Sequence, residues 1–140
     1  MAAGVPPRAR VDAVRAEMAA AVARYRALVG AASKASGASL PRIDAALAEF
    51  EPVFFGNLLV ALDARFPGRA PGTAGVFSEV RALCDALVHH GGRLVVDPAE
   101  PYDGDAALLR LEPGDRVELN GDDFEALCTA FLDALAAAGR

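Results

Sequence analysis

The side chains best suited to chemistry are the two histidines of the chain, His89 and His90, which are adjacent and precede two glycines. Asp85 lies four residues before His89, so a helix would place these two side chains on one face. A carboxylate beside an imidazole can serve as an acid–base pair or as two ligands of a metal ion. Adjacent residues of a helix point about 100° apart, so both histidines cannot bind one ion from a regular helix.

The same residues also suit a structural role. Arg81, Asp85 and His89 recur at steps of four and would form one polar row on a helix. A histidine in the last turn interacts favourably with the helix dipole, and Gly91 suits the left-handed position that caps a helix. No third residue of a metal-binding type follows at a recognisable spacing. The sequence therefore favours the structural interpretation and predicts no metal or other cofactor.

Asn57 is the other polar residue that could belong to a ligand site. It interrupts the apolar segment VFFGNLLVAL (53–62), where a buried amide without partners would cost about 1–3 kcal/mol. Gly56 beside it has no side chain and could admit a neighbouring backbone or a ligand. Most buried polar side chains serve structure, so a hydrogen bond within the fold is the favoured role. Asn57, Asp85 and His89 are the candidates for a ligand site, and no residue is assigned to catalysis.

Other familiar sites have no counterpart in the sequence. The acidic segment between 97 and 105 does not match the spacing of glycine and of the closing glutamate in an EF-hand calcium loop. A phosphate-binding loop, a dinucleotide-binding fingerprint and a nucleophile elbow are also absent. Cys84 and Cys128 lie among apolar residues at helical spacing, which predicts buried free thiols rather than a disulfide.

The elements that must position these residues begin with a long helix. Apolar residues at steps of three and four predict a helix over 8–29, and Gly30 is expected to end it. We expect residues 1–7 to be disordered, and the small residues of 31–39 to form a flexible linker. Several arginines flank the apolar stripe of this helix, while alanines occupy the opposite side.

Four further helices are predicted. A short one runs to about Glu51, and Pro52 is expected to break or restart it. The segment 53–62 is apolar around its circumference, which is typical of a helix at the centre of a bundle. The remaining two lie over 76–90 and after Asn120, which resembles an N-cap because Asp123 follows at the capping-box spacing.

Short strands are predicted between the last two helices. RLVV (93–96), ALLRL (107–111) and RVEL (116–119) are short apolar or alternating segments, and the residues of 112–115 form a tight-turn sequence. The predicted fold is therefore mainly α (α+β). It has about five helices in a bundle-like core and a small antiparallel two- or three-stranded sheet before the C-terminal helix, all in a single domain over 1–140.

The charge is unevenly distributed, with a net charge of −5. Residues 1–42 carry seven basic and two acidic side chains, whereas residues 97–140 carry three basic and eleven acidic ones. We expect the two ends to pack together, and the acidic total argues against nucleic-acid binding through Arg8, Arg15 and Arg26. The N-terminus lacks the apolar core of a signal peptide, and no apolar run approaches the roughly 20 residues of a membrane span. A cytoplasmic protein without membrane contact is expected.

Three segments taken together resemble an uncharacterised family of small, mainly helical actinobacterial proteins. They are FEPVFFGNLLVALDARF (50–66), SEVRALCDALVHHGG (78–92) and LEPGDRVELNGDDFEAL (111–127). The family pattern tends to have Asn-Asn at positions 56–57 and asparagine in place of one or both histidines, so this chain departs from it there. The Pro/Gly-rich loop at 67–75 departs as well. The resemblance implies a helical fold and supplies no activity and no site residues.

These observations favour a non-enzymatic helical protein that acts through protein contacts. The Arg-flanked helix 8–29 could dock on its own domain or on a second copy, which would make a homo-oligomer. The alternative is a small-molecule binder or a metal-assisted hydrolase that uses Asp85 and His89, with Asn57 facing the same cleft.

Overall fold

The computed structural model describes residues 5–34, 40–67, 75–97 and 102–138. Its four helices are α1 (Arg8–Ser33), α2 (Leu40–Ala64), α3 (Val76–His89) and α4 (Gly121–Ala138). α1 contacts α2 and α4, α3 contacts the same two helices, and α2 and α4 also contact each other. The mainly helical class predicted from the sequence is confirmed, and α2 and α4 form the middle of the bundle.

Successive helices run in opposite directions. On α1, Arg10 donates a hydrogen bond to the carbonyl oxygen of Arg65 at 2.6 Å, whereas the Tyr25 ring lies 4.9 Å from that of Phe55. α1 and α2 are therefore antiparallel. On the other side of α1, Arg15 pairs with Asp133 of α4 at 2.9 Å. This arrangement brings the basic first helix against the acidic last helix, as the charge distribution predicted.

The apolar stripes seen in the sequence form one core. In α1 the buried members are Val11, Val14, Met18, Val22 and Tyr25. In α4 they are Phe124, Leu127, Cys128, Phe131, Leu132 and Leu135. The largest fully buried side chains include Phe55, Phe124 and Phe131, which come from α2 and α4. The stripe of α1 is thus covered by its own domain.

Five helices were expected, but 40–64 is one continuous helix with Pro52 inside it. A proline within a helix removes one hydrogen bond and costs about 3 kcal/mol or more. Here Phe50 and Phe54, on either side of the proline, both pack on Tyr25, with ring centroids 6.5 and 5.0 Å away. This packing fixes the chain before and after Pro52 in one helical line.

Two other boundaries differ from the sequence-based expectation. Gly30 does not end α1, which continues to Ser33 and includes the first three residues of the predicted linker. Residues 35–39 and 1–4 lie outside the described part of the chain. The segment 53–62 is not buried on all sides, because Val53 and Asn57 are exposed. α2 contacts the three other helices but keeps one face open.

α2 is also apolar enough to raise a question about membranes. Within Pro41–Ala64 an 18-residue window has a mean hydropathy of 1.5, and among the described helices α2 alone has the length and composition of a membrane span. This segment is longer than the sequence predicted because Pro52 does not divide it. Length and composition alone are weak grounds for a membrane span, since a core helix passes the same test.

The predicted sheet is wrong. The described residues contain no strand, and Arg93 and Arg116 form only an isolated antiparallel bridge. The segment 107–111 is bent, because a side chain of α3 accepts its backbone N–H groups and Arg110 has a positive φ of 52°. Neither feature is compatible with a regular strand. The tight turn is confirmed, since the N–H of Asp115 donates to the carbonyl of Glu112 at 3.0 Å.

Both predicted helix caps are confirmed. The Asn120 side chain accepts from the N–H of Asp123 at 2.7 Å, and the Asp123 carboxylate accepts from the N–H of Asn120 at 3.3 Å. This reciprocal pair is a capping box at the start of α4. At the end of α3, Gly91 and Gly92 have φ of 61° and 84°, and the Gly92 N–H donates to the Ala86 carbonyl at 2.9 Å.

Candidate functional site

A cleft of about 610 Å³ runs along the outer side of α3. Its lining residues come from α3, from the chain that follows it and from the start of the next loop: Ser78, Arg81, Ala82, Asp85, His90, Val95, Val96, Asp97 and Tyr102. The α3 members recur at steps of three and four, so they share one helix face. The volume lies within the range of small-molecule pockets.

His90, not His89, is the histidine of this cleft. Its Nε2 lies 3.1 Å from Oδ2 of Asp85, whereas His89 is exposed and is not part of the lining. Arg81, Asp85 and His89 lie on α3 at the expected steps of four, but no hydrogen bond or ion pair joins them, and Asp85 contacts His90 instead. His90 has φ −126° and ψ 23°, so its backbone leaves the helix and its ring turns back over Asp85.

Arg81 faces the same cleft and has no partner among the described residues. It makes no hydrogen bond or ion pair to any described residue, although Asp85 lies at the i+4 spacing that favours such a pair. Asp85 bonds His90 instead. The cleft therefore presents a guanidinium with unused donors beside a hydrogen-bonded carboxylate–imidazole pair.

Ser78, Asp85 and His90 do not form a nucleophilic triad. Ser78 lies seven residues before Asp85 on α3, which is roughly 10 Å along the helix axis. A serine nucleophile must lie within about 3 Å of the histidine that activates it. The three residues line one cleft but are too far apart for acyl transfer.

A buried glutamate that the sequence analysis missed holds the wall of this cleft. Glu79 is 2% exposed, and its two carboxylate oxygens accept the N–H groups of Leu108 and Leu109 at 2.8 and 3.0 Å. The Tyr102 hydroxyl donates to the Leu111 carbonyl at 2.6 Å. Burial, and then the charge of Glu79, raises the pKa of Tyr102. These contacts fix the loop after residue 102 against α3.

The sequence did contain a signal for Glu79. It lies three residues after Val76 and four before Leu83, within the buried stripe of the helix. A carboxylate in such a stripe must find hydrogen-bond donors inside the fold. Its partners lie about 30 residues further along the chain, so their identity could not be read from local spacing.

Asn57 lies outside the cleft, on the exposed face of α2. Its amide can reach water and needs no buried partner. Gly56 is buried, and a Cβ at this position would lie 3.5 Å from the side chain of Leu87. That is ordinary van der Waals contact, so the described structure leaves no space there for a ligand or a closely packed backbone.

The described residues contain no group of three or more His, Cys, Asp or Glu side chains that could hold a metal ion. Cys84 and Cys128 are buried thiols that form no disulfide, as the sequence predicted. Burial raises the pKa of the Cys128 thiol to about 11, although Arg15 opposes this rise. Cys128 therefore stays protonated at neutral pH and is a poor nucleophile.

A second surface lies where α1 and α2 extend past the other two helices. α4 begins beside Phe55, since a Cβ on Gly121 would lie 3.3 Å from that ring. Beyond this level none of the described side chains of 26–33 or 41–54 is buried. We call these two segments the α1–α2 arm. At about 1.5 Å per residue they project roughly 12 and 21 Å.

The base of the arm contains an apolar groove of about 340 Å³. Its lining residues are Ala21, Arg24, Tyr25, Leu28, Phe50 and Phe54. The rings of Phe50 and Phe54 lie 6.0 Å apart, and Tyr25 stacks on Phe54. The exposed fraction is 43% for Phe50 and 51% for Leu28, so large apolar side chains meet solvent here.

No family model, no curated protein and no solved structure matches this chain. The resemblance to actinobacterial helical proteins stays an expectation. The geometry of the cleft and of the arm carries the functional argument.

Proposed function

We propose that this protein is a non-enzymatic helical protein that self-associates through the α1–α2 arm. The observation that carries the proposal is the uncovered apolar surface of the arm. Four of the eight large hydrophobic side chains exposed among the described residues belong to it: Leu28, Val29, Phe50 and Val53.

The described part of the chain leaves this surface of the arm uncovered. α3 ends and α4 begins at the level of Gly56 and Phe55, where Gly56 faces Leu87 and Phe55 faces Gly121. Beyond that level only two described helices remain, and two helices cannot enclose an apolar core. A second pair of helices from another copy would complete a four-helix arrangement.

Charge complementarity favours a second copy over an unrelated partner. Arg24 and Lys34 lie just outside the two ends of the α1 part of the arm, and the α2 part carries Asp44 and Glu49 together with Arg42. No ion pair joins Arg24, Lys34, Asp44 or Glu49 to a described residue. A two-fold axis that places α1 of one copy against α2 of the other brings unlike charges together.

The interface differs from the one expected from the sequence. The stripe of helix 8–29 up to Tyr25 is buried against α2 and α4, so it serves the domain itself. Only its continuation, with Leu28 and Val29, remains for a partner. We therefore retain the hypothesis of a homo-oligomer and place the contact between copies at the arm.

Sedimentation velocity of the full chain tests the proposal. We expect a dimer whose population rises with concentration, and a Phe50→Ser, Val53→Ser double variant that stays monomeric. Val88→Ser is the matched control, because Val88 is 56% exposed on α3, away from the arm. A wild-type chain that remains monomeric at millimolar concentration contradicts the proposal. So does a dimer that survives the arm substitutions while the chain stays folded by circular dichroism.

A membrane is the competing partner for the same surface, because α2 is long and apolar. Flotation of the protein with lipid vesicles separates the two cases. If the wild type floats with vesicles and the arm variant does not, while both are monomeric in their absence, the arm binds lipid and the self-association proposal fails.

The hydrolase alternative has no supporting observation in the described structure. Asp85 and His90 supply two metal-ligand types, and Ser78 is too distant to act as their nucleophile. The alternative that the protein binds a small molecule is supported by one observation, the cleft beside α3.

A further inference from the structure

We propose that the cleft along α3 binds a small organic acid with one carboxylate and an apolar tail, and that Arg81 holds the carboxylate. The cleft and the arm share no residue, so this inference is independent of self-association.

Arg81 defines the charged end of the ligand. A guanidinium presents five N–H donors in a planar fork that matches a carboxylate. Arg81 uses none of them with a described residue, even though Asp85 lies at a favourable spacing. The side chain is exposed, so its donors meet water, and a carboxylate can displace that water with two charge-assisted hydrogen bonds.

The acidic residues near Arg81 favour a ligand with a single negative charge. Asp85 and Asp97 line the same cleft, so a dianion such as phosphate would meet two carboxylates as well as one guanidinium. A monocarboxylate carries one charge, so these carboxylates repel it less than a dianion while it keeps the two-point contact with Arg81. Like charges at close range disfavour the more highly charged ligand.

His90 is placed to bind a polar group next to that carboxylate. One of its ring nitrogens contacts Asp85 at 3.1 Å, which orients the ring and leaves the other nitrogen for the ligand. The imidazole is partly exposed, with 35% of its side chain accessible. An acid with a hydroxyl or carbonyl group beside the carboxylate would use this nitrogen as well.

Part of the cleft is apolar. Val95 and Val96 line it from the chain after α3 and Ala82 lines it from α3 itself, and Val95 is 50% exposed although it is a large aliphatic residue. A hydrocarbon tail on the ligand would remove this surface from water at about 25 cal/mol per Å². The volume of about 610 Å³ is larger than a carboxylate requires and accommodates such a tail.

Histidine-selective NMR of the full chain provides the test. The chain has two histidines, so two ring signals report on neighbouring residues, one inside the cleft and one outside it. His89→Gln and His90→Gln variants assign the signals. The probes are acetate, isovalerate and phenylacetate, with phenylacetamide and inorganic phosphate as uncharged and dianionic comparisons.

We expect the acids to shift the His90 signal in a saturable way and to leave His89 unchanged. Affinity should rise from acetate to phenylacetate, and phenylacetamide and phosphate should bind at least about tenfold more weakly than phenylacetate. Arg81→Gln should raise the phenylacetate Kd at least about tenfold, because charge-assisted hydrogen bonds are lost. Arg42→Gln is the control, since Arg42 is exposed on α2 outside the cleft.

Three results would overturn the inference. The first is a His90 signal that responds to none of the acids. The second is phosphate that binds as tightly as phenylacetate, which would indicate general anion attraction. The third is an Arg81→Gln variant that keeps wild-type affinity and a native spectrum.

Discussion

Replacing Glu79 by alanine should destabilise the fold by about 2–3 kcal/mol. Its carboxylate accepts two backbone N–H groups, from Leu108 and Leu109, at 2.8 and 3.0 Å. A hydrogen bond to a charged group contributes about 1.5–3 kcal/mol, so two of them would suggest about 3–6 kcal/mol. Two effects reduce that figure. Removing a buried carboxylate relieves its desolvation, and Leu108 is already 51% exposed, so its N–H can reach water.

Urea unfolding followed by far-ultraviolet circular dichroism measures this change. Glu79→Gln should lose about half as much unfolding free energy as Glu79→Ala. Its amide oxygen can still accept one backbone N–H, whereas its NH₂ group is a donor and cannot accept the second. Glu112→Ala is the matched control, because the side chain of this exposed glutamate bonds no described residue and lies outside the arm, and it should stay within about 0.5 kcal/mol of the wild type. Amide hydrogen exchange at Leu108 and Leu109 should accelerate in Glu79→Ala. If the unfolding free energy changes by less than about 0.5 kcal/mol, or if exchange at these amides is unaltered, Glu79 does not hold the loop.

Three further predictions follow from the described contacts. Asn120→Ala should lower the unfolding free energy by about 1 kcal/mol in urea titrations because it removes the capping box of α4, and a neutral result would deny the cap any energetic role. Gly56→Ala should raise the unfolding free energy by about 0.5–1 kcal/mol, since alanine favours helix and its Cβ would make ordinary contact with Leu87; a marked loss would reveal a closer packing than 3.5 Å. Burial raises the pKa of Cys128 in the folded protein to about 11, above the ordinary thiol value of 9.0, so the unfolded thiol releases its proton first and stability should fall as pH rises from about 9 to 11. Cys128→Ala should lose that part of the pH profile, and native Cys128 should alkylate far more slowly at mildly alkaline pH than the unfolded chain does.

Features that depend on local spacing could be predicted from the sequence. The capping pair of Asn120 and Asp123 lies within one turn, and the glycine after His90 needs only its own backbone freedom. The apolar stripe of α1 follows from steps of three and four. Each of these requires nothing beyond a few neighbouring residues.

The errors arise where distant parts of the chain decide the outcome. Pro52 would end an isolated helix, but the Tyr25 ring packs on aromatic residues before and after it. The predicted strand at 107–111 fails because its N–H groups bond Glu79, about 30 residues away. In both cases a tertiary contact outweighs the local propensity of the segment for one secondary structure.

The candidate site was predicted in part. Asp85 was placed correctly on an exposed helix face, but the partner histidine was wrong by one residue. Helical spacing places His89 one turn after Asp85 on α3, but His90 lies beyond the end of the helix and its ring folds back to contact Asp85. Asn57 was assigned an interior role because its neighbours are apolar, whereas α2 exposes that face to solvent. The arm that exposes it follows from the relative lengths of four helices, which no single segment reveals.

The most direct test of self-association through the arm is an isotope-filtered NOE experiment on a mixture of differently labelled full-length chains. Contacts between copies should connect the Phe50 ring of one chain with the Leu28 and Val53 methyl groups of the other, because these exposed side chains carry the proposed interface. A dimer whose contacts between copies lie elsewhere, for example at Val88, or a spectrum without any such contact at millimolar concentration, would contradict the account.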